Sequence, residues 1–185
     1  MAKYFHSVEN YIATLPAEIE MKLRAYYQNV RGLKTKTAEF RSNLLTILYD
    51  IIILCETWLR PDIFSAELFD DKYIVYRKDR NNESIGKEDG GGCIIAVRKD
   101  LISKQIFNFE LENDIWVSIE HVDASKTYVN VKYIEVESTF ETYNRHFDKI
   151  VQNVMSSNAN DSFILCGDYN LGNTISWSYD SLSKK

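Results

Sequence analysis

An unbroken apolar run, Ile51-Ile52-Ile53-Leu54-Cys55, is followed at once by Glu56. A strand with one wet face alternates apolar and polar side chains, so a continuous β-branched run requires cover on both faces. Such a strand belongs in the middle of a sheet with a further layer above and below it. The rest of the chain must supply those layers. Two other strand-like runs also finish in polar groups. LRAYYQNV, residues 23–30, carries Asn29 near its end, and FILCG leads into Asp168 and Asn170. Polar residues at the ends of buried strands are where open α/β sheets gather their ligand sites.

The elements between these runs fill in the layers. Thr37 stands where a helix cap belongs, and Phe40, Leu44, Leu45 and Leu48 follow on one helical face. YIVYR, CIIAVR, QIFNF, IWVSIEHV and TYVNVKYIEV are expected strands, several close enough in sequence to pair antiparallel. Phe140, Tyr143, Phe147, Ile150, Val151 and Val154 mark a second amphipathic helix. Val8, Ile12, Leu15 and Ile19 are spaced for a short helix that Pro16 interrupts, so residues 1–22 form a lead-in without an assigned role. Residues 77–89 are polar and expected to form a loop. Gly90-Gly91-Gly92 lacks the Lys-Ser/Thr of a phosphate-binding P-loop and leads into a strand, which points to close backbone packing.

Composition sets limits on function. The chain has 185 residues, 45% of them hydrophobic and 26% charged, which suits one folded domain. No apolar run approaches the roughly 20 residues of a membrane-spanning helix, and the N-terminus lacks a signal-peptide layout. An intracellular protein, nuclear or cytoplasmic and without a membrane partner, is expected. Cys55, Cys93 and Cys166 lie in or beside apolar runs with no CxxC spacing, so buried thiols are expected in place of zinc sites or disulfides. The formal net charge of −5 is the wrong sign for holding nucleic acid by bulk neutralisation of phosphates. A DNA substrate would need local basic groups and a metal.

Asn29, Glu56, Asp168 and Asn170 are carboxylates and amides, hard oxygen ligands suited to Mg²⁺ or Mn²⁺. A metal beside a carboxylate base activates water against a phosphodiester. With QNVRGL, CETWL and GDYN in that order, the chain resembles the endonuclease/exonuclease/phosphatase superfamily, which includes DNase I, exonuclease III and apurinic/apyrimidinic endonucleases. YYQNVRGLKTK, CETWL, YRKDR and GGGCIIAV look most like endonuclease domains of insect-type non-LTR retrotransposons. The resemblance implies a DNase I-like four-layer α/β sandwich over residues 23–185, two packed mixed sheets flanked by helices. It also implies that Glu56 coordinates the metal, with Asn29 beside it contacting phosphate. Asp168 would orient or deprotonate water, and Asn170 would position Asp168 and stabilise pentavalent phosphorus. Tyr133, in a strand that supplies an active-site tyrosine in relatives, would touch the phosphate or serve as packing. Arg77 and Arg80 would steer the DNA backbone or form a solvated loop.

Family members end in a Ser-Asp-His type segment, and His6, His121 and His146 all lie in other contexts. The expectation is therefore a domain incomplete at its C-terminus, lacking the last catalytic segment. A nicking endonuclease acting in cis with a reverse transcriptase is the leading function. A phosphoester hydrolase acting on a lipid or inositol phosphate, and an inactive remnant that serves as a binding module, are the alternatives.

Overall fold

The structure is a computed structural model that describes residues 22–79, 90–136 and 138–171. The expected N-terminal helix, most of the 77–89 loop, Arg80 included, and the segment after residue 171 lie outside the described residues. Eight strands and three α-helices follow one another as β1 (Ala25–Asn29), α1 (Thr37–Thr46), β2 (Ile51–Cys55), α2 (Ser65–Leu68), β3 (Tyr73–Lys78), β4 (Cys93–Arg98), β5 (Ile102–Gln105), β6 (Asp114–Glu120), β7 (Lys126–Tyr133), α3 (Phe140–Met155) and β8 (Ser162–Asp168) among the described residues.

The strands form two four-stranded sheets, ordered β1-β2-β4-β3 and β5-β6-β7-β8. Each is mixed. The pairs β1/β2 and β7/β8 are parallel, and the other neighbours are antiparallel. The Ile51–Cys55 run occupies an inner position in the first sheet, and all five of its residues are fully buried. Alternate residues divide between two cores. Ile51, Ile53 and Cys55 meet Ile115, Val117, Ile119, Val129 and Val131 of the second sheet, while Ile52 and Leu54 pack with Leu33, Phe40, Leu68 and Phe69. A third cluster, Phe109, Trp116, Tyr128 and Ile150, joins the second sheet to α3. The result is the expected DNase I-like α/β sandwich, and burying each large aliphatic side chain in it contributes about 1.5–3 kcal/mol.

Several local expectations need correction. Thr37 is not the cap of α1 but its first residue, and its hydroxyl donates to the carbonyls of Leu33 and Lys34, which continues a short 3₁₀ turn at Lys34–Lys36. Leu48 lies beyond the end of α1 and is exposed. The strand expected at QIFNF runs earlier, over Ile102–Gln105, and Phe107–Phe109 is a 3₁₀ turn. On α3, the side chains facing the sheet are Tyr143, His146, Ile150 and Asn153, whereas Phe140, Phe147, Val151 and Val154 are exposed. The sheet surface beneath carries Asp114, Asn130 and Lys132 beside Trp116 and Tyr128, all buried, and Asn153 Nδ2 donates to the Phe109 carbonyl at 3.2 Å.

Burial tunes two of these groups in opposite directions. It pushes the His146 imidazole down to about 4, with nearby Lys132 adding to the effect, and raises the Asp114 carboxyl to about 6. The stability His146 contributes is complete above its ordinary value of 6.5 and is lost as pH falls towards 4. The Asp114 contribution has the opposite sign: present below 3.8, lost as pH rises through 6. Replacing His146 with Leu should therefore make the protein gain stability relative to wild type as pH falls from 6.5 to 4, by at most about 3 kcal/mol. Urea unfolding across that range reads the difference, and parallel pH profiles would contradict it.

Gly167 marks the closest approach of β8 to β7, since a Cβ there would collide with the Lys132 carbonyl. Gly167→Ala should cost about 1–3 kcal/mol in urea unfolding.

Candidate active site

The strands ending in Asn29 and Cys55 are parallel partners in register, so Asn29 sits beside the residue before Glu56. In the other sheet Tyr133 and Asp168 are partners at the ends of β7 and β8. Packing of the two sheets brings these ends together. Asn29 Nδ2 donates to Asp168 Oδ2 at 2.7 Å, and Asn29 Oδ1 accepts from the Arg31 amide at 3.1 Å. Asp168 Oδ1 accepts from the Asn170 amide at 3.3 Å, and Asn170 Nδ2 donates to the Ile134 carbonyl at 2.8 Å. Asp168 is thereby fixed through both carboxylate oxygens.

Glu56 is nearly buried and lies on the same end of the sandwich. Its Oε2 accepts from Trp58 Nε1 at 2.5 Å. Tyr133 is raised well above its ordinary value by burial, then by a hydrogen bond to Glu56 and the charges of Glu56, Glu135 and Asp168. Tyr133 is consequently a protonated donor that senses both carboxylates. Tyr27 is raised likewise, first by burial. The structure thus gathers Asn29, Glu56, Tyr133, Asp168 and Asn170 in one place.

Of the two arginines expected to steer DNA, Arg80 lies outside the described residues and Arg77 is held by its own partners. Arg77 lies on β3 with its guanidinium bound to Asp79 at 2.5 and 2.6 Å and to the carbonyls of Ile63 and Arg60 at 2.5 and 2.6 Å. These bonds make it a clasp on the 60–64 loop, and contact with a phosphate would require releasing some of them. Cys55 and Cys93 are buried and Cys166 is half-buried, all as free thiols. A hydrogen bond with Cys55 and burial raise Cys93, and burial pushes Cys166 up to about 11, so both stay protonated and inert.

Two residues at this site escaped the sequence. Trp58 is one, although it stands within the Glu56 motif. The other is Tyr143 of α3, whose hydroxyl donates to the carbonyls of Tyr169 and Asn170 at 2.9 and 3.0 Å. His146 packs its ring on Tyr169, with centroids 5.6 Å apart. Helix α3 therefore holds the loop that carries Asn170, and no local pattern announces such a long-range bond.

The donor set suits a hard divalent cation. Carboxylate and amide oxygens fit Mg²⁺ or Mn²⁺, and Mg²⁺ commonly takes one or two carboxylates while keeping several waters. Among the described residues there is no group of three or more His, Cys, Asp or Glu side chains that could by itself hold a metal ion.

Residues 27–184 match the endonuclease/exonuclease/phosphatase family. The chain belongs to that family. Among solved structures it is similar to the endonuclease domain of TRAS1, a telomere-specific non-LTR retrotransposon, at 19% identity and TM-score 0.60, covering 83% of this chain and 61% of that one. The human Nocturnin catalytic domain gives 16% and 0.58, covering 82% and 65%. An AP endonuclease from Leishmania major gives 17% and 0.57, covering 79% and 54%. The chain thus spans less than two-thirds of the length of each of these structures. No curated protein sequence matches it. Among the described residues no helix is long and apolar enough to cross a membrane.

Tyr143→Phe removes the hydroxyl and keeps the ring. We expect a loss of about 1–2 kcal/mol and faster hydrogen exchange at Tyr169 and Asn170, with the core amides of β2 unchanged. Unaltered exchange at Tyr169 and Asn170 would show that α3 does not hold the loop.

Proposed function

We propose that the chain is a divalent-cation-dependent phosphodiester hydrolase that nicks DNA, as the endonuclease part of a non-LTR retrotransposon working in cis with a reverse transcriptase. The observation that carries this reading is the 2.7 Å hydrogen bond from Asn29 to Asp168, which joins motifs 139 residues apart beside Glu56. A turn asparagine and a strand-end aspartate have no structural need to meet across two sheets. Similarity in fold to the TRAS1 endonuclease domain supports DNA as the substrate class.

In this mechanism Asp168 takes the proton of the attacking water. Both of its oxygens are tied to Asn29 and Asn170, so the carboxylate is already oriented and loses little freedom in the transition state. Asn170 holds the loop geometry through Ile134 and stands beside the phosphorus as it becomes pentavalent. Tyr133, kept protonated, donates a hydrogen bond to a phosphate oxygen or keeps Glu56 in place. Glu56, with Asn29, would hold Mg²⁺ or Mn²⁺. That cation supplies Lewis acidity at the phosphoryl oxygen and lowers the pKa of bound water.

The acidic net charge of −5 favours a second reading, hydrolysis of a small phosphate ester such as an inositol phosphate, because such a substrate needs no extended basic track. Supercoiled plasmid, an inositol bisphosphate and sphingomyelin, each incubated with the protein and Mg²⁺, separate the two. Nicked circles are expected, with the rate reduced at least about 100-fold in Asp168→Asn. Turnover of a small ester without plasmid nicking would overturn the DNA assignment. Nicking that persists at full rate in Asp168→Asn would remove Asp168 as the base.

A further inference from the structure

Glu56 and Trp58 are two residues apart, and in an extended strand their side chains would stand about 6–7 Å from each other. Here they meet at 2.5 Å, because both residues adopt left-handed backbone, with φ of 60° and 54°. Neither residue type favours that conformation, and each instance costs on the order of 1–2 kcal/mol. The surrounding loops hold it from both sides. Gly32 and Leu33 amides donate to the carbonyls of Glu56 and Thr57 at 2.8 and 2.9 Å, and Thr57 and Trp58 amides donate to the carbonyls of Gly92 and Gly91 at 3.2 and 3.1 Å. The indole then lies against Gly32, where an added Cβ would fall 2.7 Å from the ring. Gly32 is itself at a positive φ of 85°, so this contact is built into the turn.

We propose that Trp58 is a positioning residue for Glu56, its indole N–H holding Oε2 so that Oε1 is the oxygen presented to a divalent cation. The inference rests on Glu56 being the cation ligand. A free carboxylate rotates and chelates through one oxygen or two, whereas a carboxylate whose Oε2 is held by an indole N–H is restricted in the direction it offers. Mg²⁺ demands near-octahedral geometry at short distances, while Ca²⁺ accepts bidentate carboxylates at longer ones. The Trp58 bond therefore strengthens binding of the smaller ions and biases the site against Ca²⁺. Partners that orient metal ligands in this way typically carry 10–100-fold in affinity.

Trp58→Phe keeps an aromatic ring and deletes the N–H together with part of the indole's volume. Thermal unfolding of the full chain is followed at rising Mn²⁺, Mg²⁺ and Ca²⁺ for wild type and variant. We expect the melting temperature without added metal to change little, Mn²⁺ and Mg²⁺ affinity to fall about 10–100-fold, and the preference over Ca²⁺ to narrow. Equal affinities and equal ion preference in the two proteins would overturn the role of Trp58 while leaving Glu56 as ligand. Absence of any cation effect in wild type would instead overturn the ligand reading of Glu56, and this proposal with it. Should Trp58→Phe fail to fold, the wild-type indole ¹H–¹⁵N resonance supplies the second measurement. It should exchange slowly with solvent and move on Mg²⁺ addition. A fast-exchanging indole, or one that stays fixed while the Glu56 amide shifts, would overturn the proposal.

Discussion

Asn29 leaves one sheet and Asp168 leaves the other, so the bond between them depends on how closely the sheets approach at that end. Away from the site the inter-sheet core is filled by Ile51, Ile53, Ile95, Val97, Val117 and Ile119, and at the site end by Cys55, Cys93 and Cys166 together with Ile115, Val131 and Tyr133. Cys55 and Cys93 face each other across β2 and β4, and Cys166 lies two residues before Asp168. A thiol is smaller than an isoleucine side chain, so sulfur at these positions lets the strand ends close in. Interiors packed like crystals transmit such differences, and added methylenes there would push the sheets apart. The cysteines act through their volume, and the thiols of Cys93 and Cys166, both kept protonated, are consistent with that role.

A second constraint is conformational. Among the described residues the left-handed backbone positions outside glycine are Arg31, Glu56, Trp58, Asn113, Ala124 and Asn170. Four of these, Arg31, Glu56, Trp58 and Asn170, belong to the loops that carry the site. Left-handed conformations persist where the surroundings determine them, and such strain gathers at functional sites. The Gly90-Gly91-Gly92 segment supplies the carbonyls that secure Thr57 and Trp58, all three glycines lie at positive φ, and a Cβ on Gly92 would fall 2.5 Å from the Thr57 hydroxyl. The glycines are thus a strap on the Glu56 loop, a more specific duty than close packing in general.

The elements that the sequence made legible are those governed by local periodicity. The Ile51–Cys55 run required an inner strand and occupies one, and CIIAVR forms β4 with those bounds. The ordered motifs also placed Asn29, Glu56, Asp168 and Asn170 at strand ends that the fold brings together. What stayed hidden was set at a distance. Phe140, Phe147, Val151 and Val154 look like a buried stripe, but α3 turns other side chains to the partly polar sheet surface beneath it, which only tertiary structure reveals. Arg77 reads as a free cation beside Lys78 and Asp79, yet it is held by carbonyls more than ten residues away in sequence. The bonds from Tyr143 to the Asn170 loop are of the same kind.

That polar surface bears on the site through register. Asp114 and Lys132 are register partners across β6 and β7 and both are buried; the Lys132 ammonium donates to the Glu112 carbonyl, and Asp114 Oδ1 accepts from the Leu111 amide. Burying charged groups is costly, and apolar residues of equal volume are often at least as stable. Side chains alternate along a strand, however, and a slip of one residue would turn Asn130 and Lys132 towards the apolar core between the sheets. These buried polar side chains thus penalise the wrong pairing of β7. Correct pairing is what turns Tyr133, the next residue, towards Glu56 and Asp168. Polar side chains on the far side of the sheet therefore help decide whether the candidate site can assemble at all.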